Sequence, residues 1–197
     1  MKTRTFPLAF LLVAAVAATS NAKSPPKPAT ETAAARPTTP DAPPASECPA
    51  MGALPDAWSG VAYAIDGVTL SAVGLKPNIR LWGIQAPELR DDARQETTAG
   101  MRARATLEDL LSKSDHKLKC RITRFNHQCQ AVAHCVIDAG ADSIDVGGAM
   151  IASGMAYGFS LDQTMPWEPK ASQRYADAEF DARKQRRGLW SVWLGEK

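Results

Sequence analysis

The sequence predicts an α+β domain in which five strands close into a small barrel that packs against three helices. Two features of residues 48–197 support this class. Their first half alternates apolar and polar side chains in three short runs, with turn residues between the runs. A helical spacing of apolar residues follows, and after it come a hairpin pattern and two further helical patterns.

Five runs show the alternation that is typical of strands, and the first three form a meander. The runs are Gly60–Ile65, Val68–Val73, Ile79–Ile84, Lys117–Arg124 and Ala131–Asp138. Asn126–Cys129 separate the last two runs, and this short polar break predicts a hairpin.

The first helix is predicted to follow the meander and to end near Ser112. Asp92, with Gln95 three residues further on, is expected to cap its N-terminus. Its apolar face comprises Met101, Leu107, Leu110 and Leu111.

Two shorter helical patterns complete the domain. One runs from about Ile144 to Gly154, a residue suited to the left-handed conformation that ends many helices. The other stops at Gly188. Its buried face is predicted to comprise Ala171, Tyr175, Ala178 and Ala182.

The N-terminal 47 residues have a different composition from the domain. Residues 1–22 combine basic side chains, an apolar run of about a dozen residues and a small-residue end, which predicts a cleaved secretory signal peptide and no membrane span after cleavage. Residues 23–47 are rich in Pro, Ala and Thr, so we expect a disordered linker there. The domain is then residues 48–197, and we expect a periplasmic or secreted protein.

The charge balance excludes a strongly basic nucleic-acid coat protein. The chain has 197 residues with 23 Lys and Arg against 21 Asp and Glu, and residues 48–197 carry equal numbers of basic and acidic side chains. The hydrophobic fraction of 45% also excludes a chain that is disordered throughout.

Four cysteines in an exported domain are expected to form disulfides. In a hairpin that turns about residues 127 and 128, Cys120 lies opposite Cys135, so these two are predicted to be bonded. Cys48 and Cys129 are then left as the second pair.

Four sequence phrases occur in order along the domain. Asp66–Leu70 reads Asp-Gly-Val-Thr-Leu, and Ile79–Glu88 reads Ile-Arg-Leu-Trp-Gly-Ile-Gln-Ala-Pro-Glu. Tyr175–Glu179 reads Tyr-Ala-Asp-Ala-Glu, and Arg187–Trp190 reads Arg-Gly-Leu-Trp. Together they resemble the staphylococcal nuclease (thermonuclease) family, which implies an OB-fold barrel and calcium-dependent hydrolysis of DNA and RNA.

The resemblance implies roles for five positions. Arg80 matches the arginine that handles the phosphate, and Glu88 matches the glutamate near the attacking water. Val68 and Gln85 stand where the family has its two metal-binding aspartates, and Gln130 stands where it has a second arginine.

These three departures predict loss of the calcium-dependent reaction. Calcium takes about six to eight oxygen ligands with carboxylate charge, and a valine supplies neither. Loss of one preorganised donor to the developing oxyanion costs about 3 kcal/mol. We therefore expect no bound metal and no cofactor, with calcium only if the chain is an active nuclease. Asp66 survives, and we expect it to fix the turn with its side chain.

Two further residues are candidates for ligand binding. His127 lies in the hairpin turn near the family's cleft. Trp82 is two residues from Arg80 in an alternating run, so both side chains are expected on the same face. If that face is solvated, Trp82 contacts a ligand; if the last helix covers it, Trp82 belongs to the core.

Three functions are compatible with this pattern. We favour a non-catalytic binding module over an enzyme, and a metal-dependent nuclease is expected if the chain is active. The ligand or protein partner is unknown, and single-stranded nucleic acid is among the candidates. The first alternative is an active nuclease of altered metal dependence that uses Asp66, Glu88 and His127. The second is a structural spacer or assembly domain.

Overall fold

The computed structural model describes Cys48 and residues 51–140, 142–159, 161 and 165–195. All of these belong to one compact unit, Pro40–Lys197. The predicted signal peptide, residues 1–22, and the predicted linker, residues 23–47, lie outside the described residues.

Eight strands are present in the described part of the chain, and five of them close into a barrel. The strands are β1 (Ala57–Ala64), β2 (Thr69–Ala72), β3 (Ile79–Leu81), β4 (Ile84–Gln85), β5 (Lys117–Phe125), β6 (Ala131–Ala139), β7 (Asp142–Asp145) and β8 (Tyr157–Gly158). In the main sheet the strands follow the order β3-β2-β1-β5-β6-β7, and a parallel pairing of β3 with β6 closes the ring. The predicted α+β class and five-stranded barrel are therefore confirmed.

Three helices of the predicted kind pack against the barrel, and a short fourth helix follows them. They are α1 (Thr98–Ser112), α2 (Val146–Ala152), α3 (Ala171–Lys184) and α4 (Trp190–Trp193). None of the helices in the described residues is long and apolar enough to cross a membrane.

The core lies inside the barrel and beneath α1, α2 and α3. Alternation along the strands places every second side chain inside, so Leu118, Cys120 and Ile122 of β5 are buried. The first and third predicted helices contribute Leu107 and Tyr175, both of which are almost fully buried. This shared burial fixes the helices against the barrel wall.

The boundaries differ from prediction where local geometry overrides the residue pattern. The third predicted strand ends at Leu81, because Gly83 adopts a left-handed φ of 69° and turns the chain so that β4 pairs with β8. The α1 cap is Thr97, whose side chain accepts from the Gly100 N–H, so the prediction of Asp92 with Gln95 as the cap is wrong.

The predicted second helix also begins later than expected. Asp142–Asp145 pair with β6 as β7, and Asp145 then caps α2 by accepting from the Gly148 N–H. Gly154, at the predicted end of this helix, does have a left-handed φ of 74°.

Both predicted disulfides are present. Cys120 and Cys135 are directly opposed in the β5–β6 ladder and are bonded, with their Cα atoms 4.1 Å apart. Cys48 is bonded to Cys129 across a sequence separation of 81 residues. The second bond ties the start of the domain to the β5–β6 turn.

Candidate functional site

A cleft of about 860 Å³ is lined by residues of β2, β3, the segment around β4 and the β5–β6 turn. The cleft has a size typical of ligand sites. The five family positions named from the sequence all line this cleft, and so does His127 of the hairpin turn. The five positions are Val68, Arg80, Gln85, Glu88 and Gln130.

Arg80 is a half-buried cation in this cleft. It lies on β3 opposite Thr69 of β2, and its guanidinium donates a hydrogen bond to Oε1 of Gln85. Burial lowers the pKa of Arg80, and the neighbouring carboxylate of Asp66 acts in the opposite direction. Arginine is not deprotonated in proteins, so the group remains charged.

Val68, which the resemblance places at the family's first metal-binding position, is a core residue. Its side chain is 3% exposed, and its carbonyl accepts from the N–H of Leu81 in the adjacent strand. An aliphatic side chain in this place offers no oxygen to a cation.

The resemblance places Gln85 at the second metal-binding position, and the amide of Gln85 is engaged at both ends. Oε1 accepts from Arg80, and Nε2 donates to the carbonyl oxygen of Ala86 at 3.2 Å. A calcium ion here would face a guanidinium charge and compete with an amide donor for the Ala86 carbonyl. The residues present do not fit calcium.

Asp66 has the structural role that the sequence predicted. Its Oδ1 accepts from the N–H groups of Val68 and Thr69, at 2.8 and 2.7 Å. The carboxylate therefore closes the turn into β2.

Glu88 is exposed at the edge of the cleft, and its backbone is held in place by α1. The Glu88 carbonyl accepts from the Thr97 hydroxyl at 2.5 Å. Gly100 approaches the same segment so closely that an added Cβ would lie 2.2 Å from the Glu88 oxygen.

The β5–β6 turn forms one wall of the cleft. Gln130, at the second-arginine position, accepts from Nδ2 of Asn126 at 2.8 Å, and Oδ1 of Asn126 accepts from the N–H groups of Gln128 and Gln130. Cys129 has a left-handed φ of 55° within this turn, and its disulfide to Cys48 holds it there. His127 is exposed at the tip.

Trp82 is a core residue, although it is among the residues that line the cleft. Its side chain is 2% exposed and packs against Tyr175 of α3, with the ring centroids 5.6 Å apart. The strand ends one residue earlier, so the alternation that would place Trp82 beside Arg80 does not extend to it. The last predicted helix, α3, covers Trp82, and this is the condition under which the sequence assigns Trp82 to the core.

Two arginines that the sequence did not single out also line the cleft, Arg90 and Arg124. Arg90 follows Glu88 closely in the chain and forms a long, exposed ion pair with Glu96 at 3.8 Å. Arg124 enters from β5. No sequence signal separated it from the other exposed arginines, because its orientation depends on the register of two strands.

In the part of the chain that the structure describes, no three His, Cys, Asp or Glu side chains lie close enough together to hold a metal ion. The alternative cation site of Asp66, Glu88 and His127 gains no support from this arrangement, although all three residues line the cleft.

A family model described as staphylococcal nuclease homologue matches residues 78–192, more than half of the chain. The chain belongs to this family. No curated protein matches this staphylococcal nuclease homologue. Asp66 and Val68 lie before the matched range, whereas Arg80, Gln85, Glu88 and Gln130 lie within it. The two disulfides of this staphylococcal nuclease homologue fit an oxidising compartment.

Proposed function

We propose that this domain is a non-catalytic binding module, exported to the periplasm or the cell exterior, whose cleft binds the phosphates of single-stranded nucleic acid without a metal ion. The observation that carries the proposal is the hydrogen bond from Arg80 to Gln85. At a position where the family has a metal-binding aspartate, this chain has the neutral side chain of Gln85, which accepts a hydrogen bond from Arg80.

The charges that line the cleft favour an anionic ligand. Three arginines face two carboxylates there, and the carboxylate of Asp66 already accepts two backbone N–H groups. Guanidinium groups are well suited to phosphate oxygens because they donate in a planar fork. The lining therefore contains one more arginine than carboxylate, although Arg90 also pairs with Glu96 and the domain as a whole is balanced.

Hydrolysis would require groups that the cleft does not contain. In the family, a cation stabilises the charge on the phosphate and activates water, which contributes several kcal/mol. The second guanidinium position holds Gln130, which bonds to Asn126 of its own turn. Binding without cleavage is the function that these residues support.

The two alternatives are less well supported. A nuclease of altered metal dependence would need the Asp66 carboxylate, which closes a turn. A spacer domain would have no need of a half-buried arginine that lines a cleft of about 860 Å³.

The test is a binding and cleavage experiment on the purified chain. A labelled single-stranded oligonucleotide is titrated at two salt concentrations, and cleavage is followed with calcium, magnesium, manganese and zinc. We expect salt-dependent binding that Arg80→Ala weakens, and no cleavage with any metal. The matched control is Arg121→Ala, which removes an exposed arginine of β5 that does not line the cleft.

Two results would overturn the proposal. One is metal-dependent cleavage that an Arg80→Ala and Glu88→Ala double variant abolishes. The other is an affinity for single strands that Arg80→Ala and Arg121→Ala reduce equally, or no measurable affinity at all.

A further inference from the structure

The ladder between β5 and β6 contains a register shift near the cleft. Ile122 pairs with Ala133, but the next pair is Arg124 with Val132, followed by Phe125 with Ala131. Thr123 is therefore the extra residue of a β-bulge. Its hydroxyl donates to the carbonyl of Val132 at 2.9 Å, which holds the bulge in place.

The bulge determines which face Arg124 occupies. In an unbroken ladder Thr123 would oppose Val132, and Arg124 would oppose Ala131, which is 0% exposed and belongs to the core. With the bulge, Phe125 takes the inward place opposite Ala131 and is 2% exposed. Arg124 is moved to the other face of the sheet, since neighbours along a strand point in opposite directions.

Arg80 reaches the same face from the other side of β6. In the parallel pairing of β3 with β6, Arg80 lies opposite Val132. Val132 therefore stands between Arg80 and Arg124 on the central strand of three, and directly opposed residues share a face. All three residues line the cleft.

We propose that Arg80 and Arg124 together form the phosphate-binding element of this cleft, in which one backbone phosphate of a single strand is held between the two guanidinium groups. The inference rests on the proposed function and adds to it the second cation. With strands about 4.8 Å apart, the two Cα atoms are separated by roughly 10 Å. Two arginine side chains that extend from such positions reach a common anion.

Arg124 supplies the second guanidinium that Gln130, at the family's second-arginine position, does not supply. Gln130 carries no charge, and its amide is bonded to Asn126. Arg124 delivers a guanidinium to the same cleft from the neighbouring strand, through a bulge and not through the turn.

The experiment compares the affinity of Arg124→Ala, Arg124→Gln and Arg124→Lys for a labelled single-stranded oligonucleotide over a range of salt concentrations. Arg121→Ala is the control, because Arg121 lies on the same strand but does not line the cleft. We expect Arg124→Ala and Arg124→Gln to weaken binding about tenfold or more, as loss of a hydrogen bond to a charged group does. The slope of log affinity against log salt should fall in magnitude by about 0.7, the value for one phosphate contact on a single strand.

Two further comparisons sharpen the assignment. Arg124→Lys retains the charge and loses the planar fork, so it should keep the salt slope while affinity falls. A strand with an uncharged methylphosphonate backbone should bind the wild type and Arg124→Ala equally weakly. Thermal melting of each variant shows whether it is folded. If Arg124→Ala is unfolded, the affinities of Arg124→Gln and Arg124→Lys test whether Arg124 binds phosphate.

The outcomes separate this inference from the proposed function. If Arg80→Ala weakens binding and no Arg124 variant does, the two-arginine element is overturned while the binding module stands. If the wild type binds no single strand, the proposed function fails and this inference fails with it.

Discussion

The guanidinium of Arg80 donates a hydrogen bond to the side-chain carbonyl of Gln85, five residues further along the chain. Gln85 thereby orients the arginine without neutralising it, whereas an aspartate in the same place would supply a compensating charge. If, as the resemblance implies, Gln85 stands in place of a metal-binding aspartate, then the change that removes a metal ligand also leaves Arg80 without that carboxylate partner. A single residue, Gln85, would then determine both whether the cleft binds a cation and how strongly it attracts an anion.

Gln85→Glu tests this relationship directly. The new carboxylate should pair with Arg80, compensate its charge and repel a phosphate, so the affinity for a single-stranded oligonucleotide should fall by about tenfold or more. Titration by fluorescence anisotropy measures the change. Gln95→Glu, at an exposed position outside the cleft lining, is the matched control and should leave the affinity unchanged. Equal affinities for wild type and Gln85→Glu would show that the charge state of this pair does not govern binding.

Calcium should not stabilise the folded chain. A ligand that binds only the native state adds about 2.7 kcal/mol of stability when present at one hundred times its dissociation constant, which raises the melting temperature. Because Val68 is buried in the core and Gln85 is engaged by Arg80, millimolar calcium should shift the melting temperature no more than magnesium does. A rise specific to calcium, measured by differential scanning fluorimetry, would contradict the geometry described for this position.

The bond between Cys48 and Cys129 should stabilise the fold more than the bond between Cys120 and Cys135. The separations are 81 and 15 residues, and the loop-closure model assigns about 4.5 and 3 kcal/mol to such loops. Removing each pair with serine and measuring urea unfolding compares the two losses. An equal or reversed order would indicate that chain entropy in the unfolded state is not the main contribution.

The same turn provides a second comparison within this experiment. Cys129 has a left-handed φ of 55°, a conformation that costs an ordinary residue roughly 1 kcal/mol and glycine almost nothing. The Cys48→Ser variant should therefore be more stable with Cys129→Gly than with Cys129→Ser. The two doubly substituted chains lack the same disulfide, so they differ only in the backbone preference of this one residue.

Gly100→Ala should destabilise the domain and disturb the edge of the cleft. A Cβ at this position would lie 2.2 Å from the carbonyl oxygen of Glu88 and 2.5 Å from Cα of Leu89, and backbone atoms cannot rotate away. Overpacking of this kind costs about 1–3 kcal/mol, measured here by urea unfolding. Arg102→Ala, at an exposed position of α1, is the control for helix propensity and should be nearly neutral. Wild-type stability in Gly100→Ala would mean that α1 moves away from this segment at little cost.

The sequence predicted those parts of the fold that depend on local patterns. The β5–β6 hairpin follows from alternation on both sides of a polar break, and the opposed positions of Cys120 and Cys135 follow from counting about the turn. Asp66 closing its turn is likewise a local property of an Asp-Gly pair.

The features that escaped prediction depend on how elements meet. Trp82 is buried because the strand ends at Leu81 and α3 covers it, and the residue pattern contains neither fact. Arg124 faces the cleft because of a single-residue bulge. A shift of one residue exchanges the two faces of a strand, and alternation alone does not locate it.

Asp145 should make stability dependent on pH at the acid end. Burial raises the pKa of Asp145, but His134, whose Nε2 lies 3.3 Å from Oδ2, and the hydrogen bonds from Gly148 and Tyr175 outweigh it, so the pKa lies below its usual value. Arg174 adds an ion pair at 3.1 Å. A carboxyl whose pKa is lower in the folded chain stabilises the fold above the unfolded pKa of about 3.9, and this stability is lost as the pH falls through the folded value.

The comparison of wild type with Asp145→Asn isolates this effect. The variant loses charged hydrogen bonds and should be less stable by about 2–3 kcal/mol near neutral pH, and the difference should narrow below about pH 4 as the wild-type carboxyl is protonated. Urea unfolding over the pH range measures it. Asp138→Asn is the matched control, because the pair of Asp138 with Lys119 is solvent-exposed on β6 and β5 and such pairs contribute little. If the difference between wild type and Asp145→Asn stayed constant down to about pH 2, then ionisation of Asp145 would not be what joins β7 and α2 to α3.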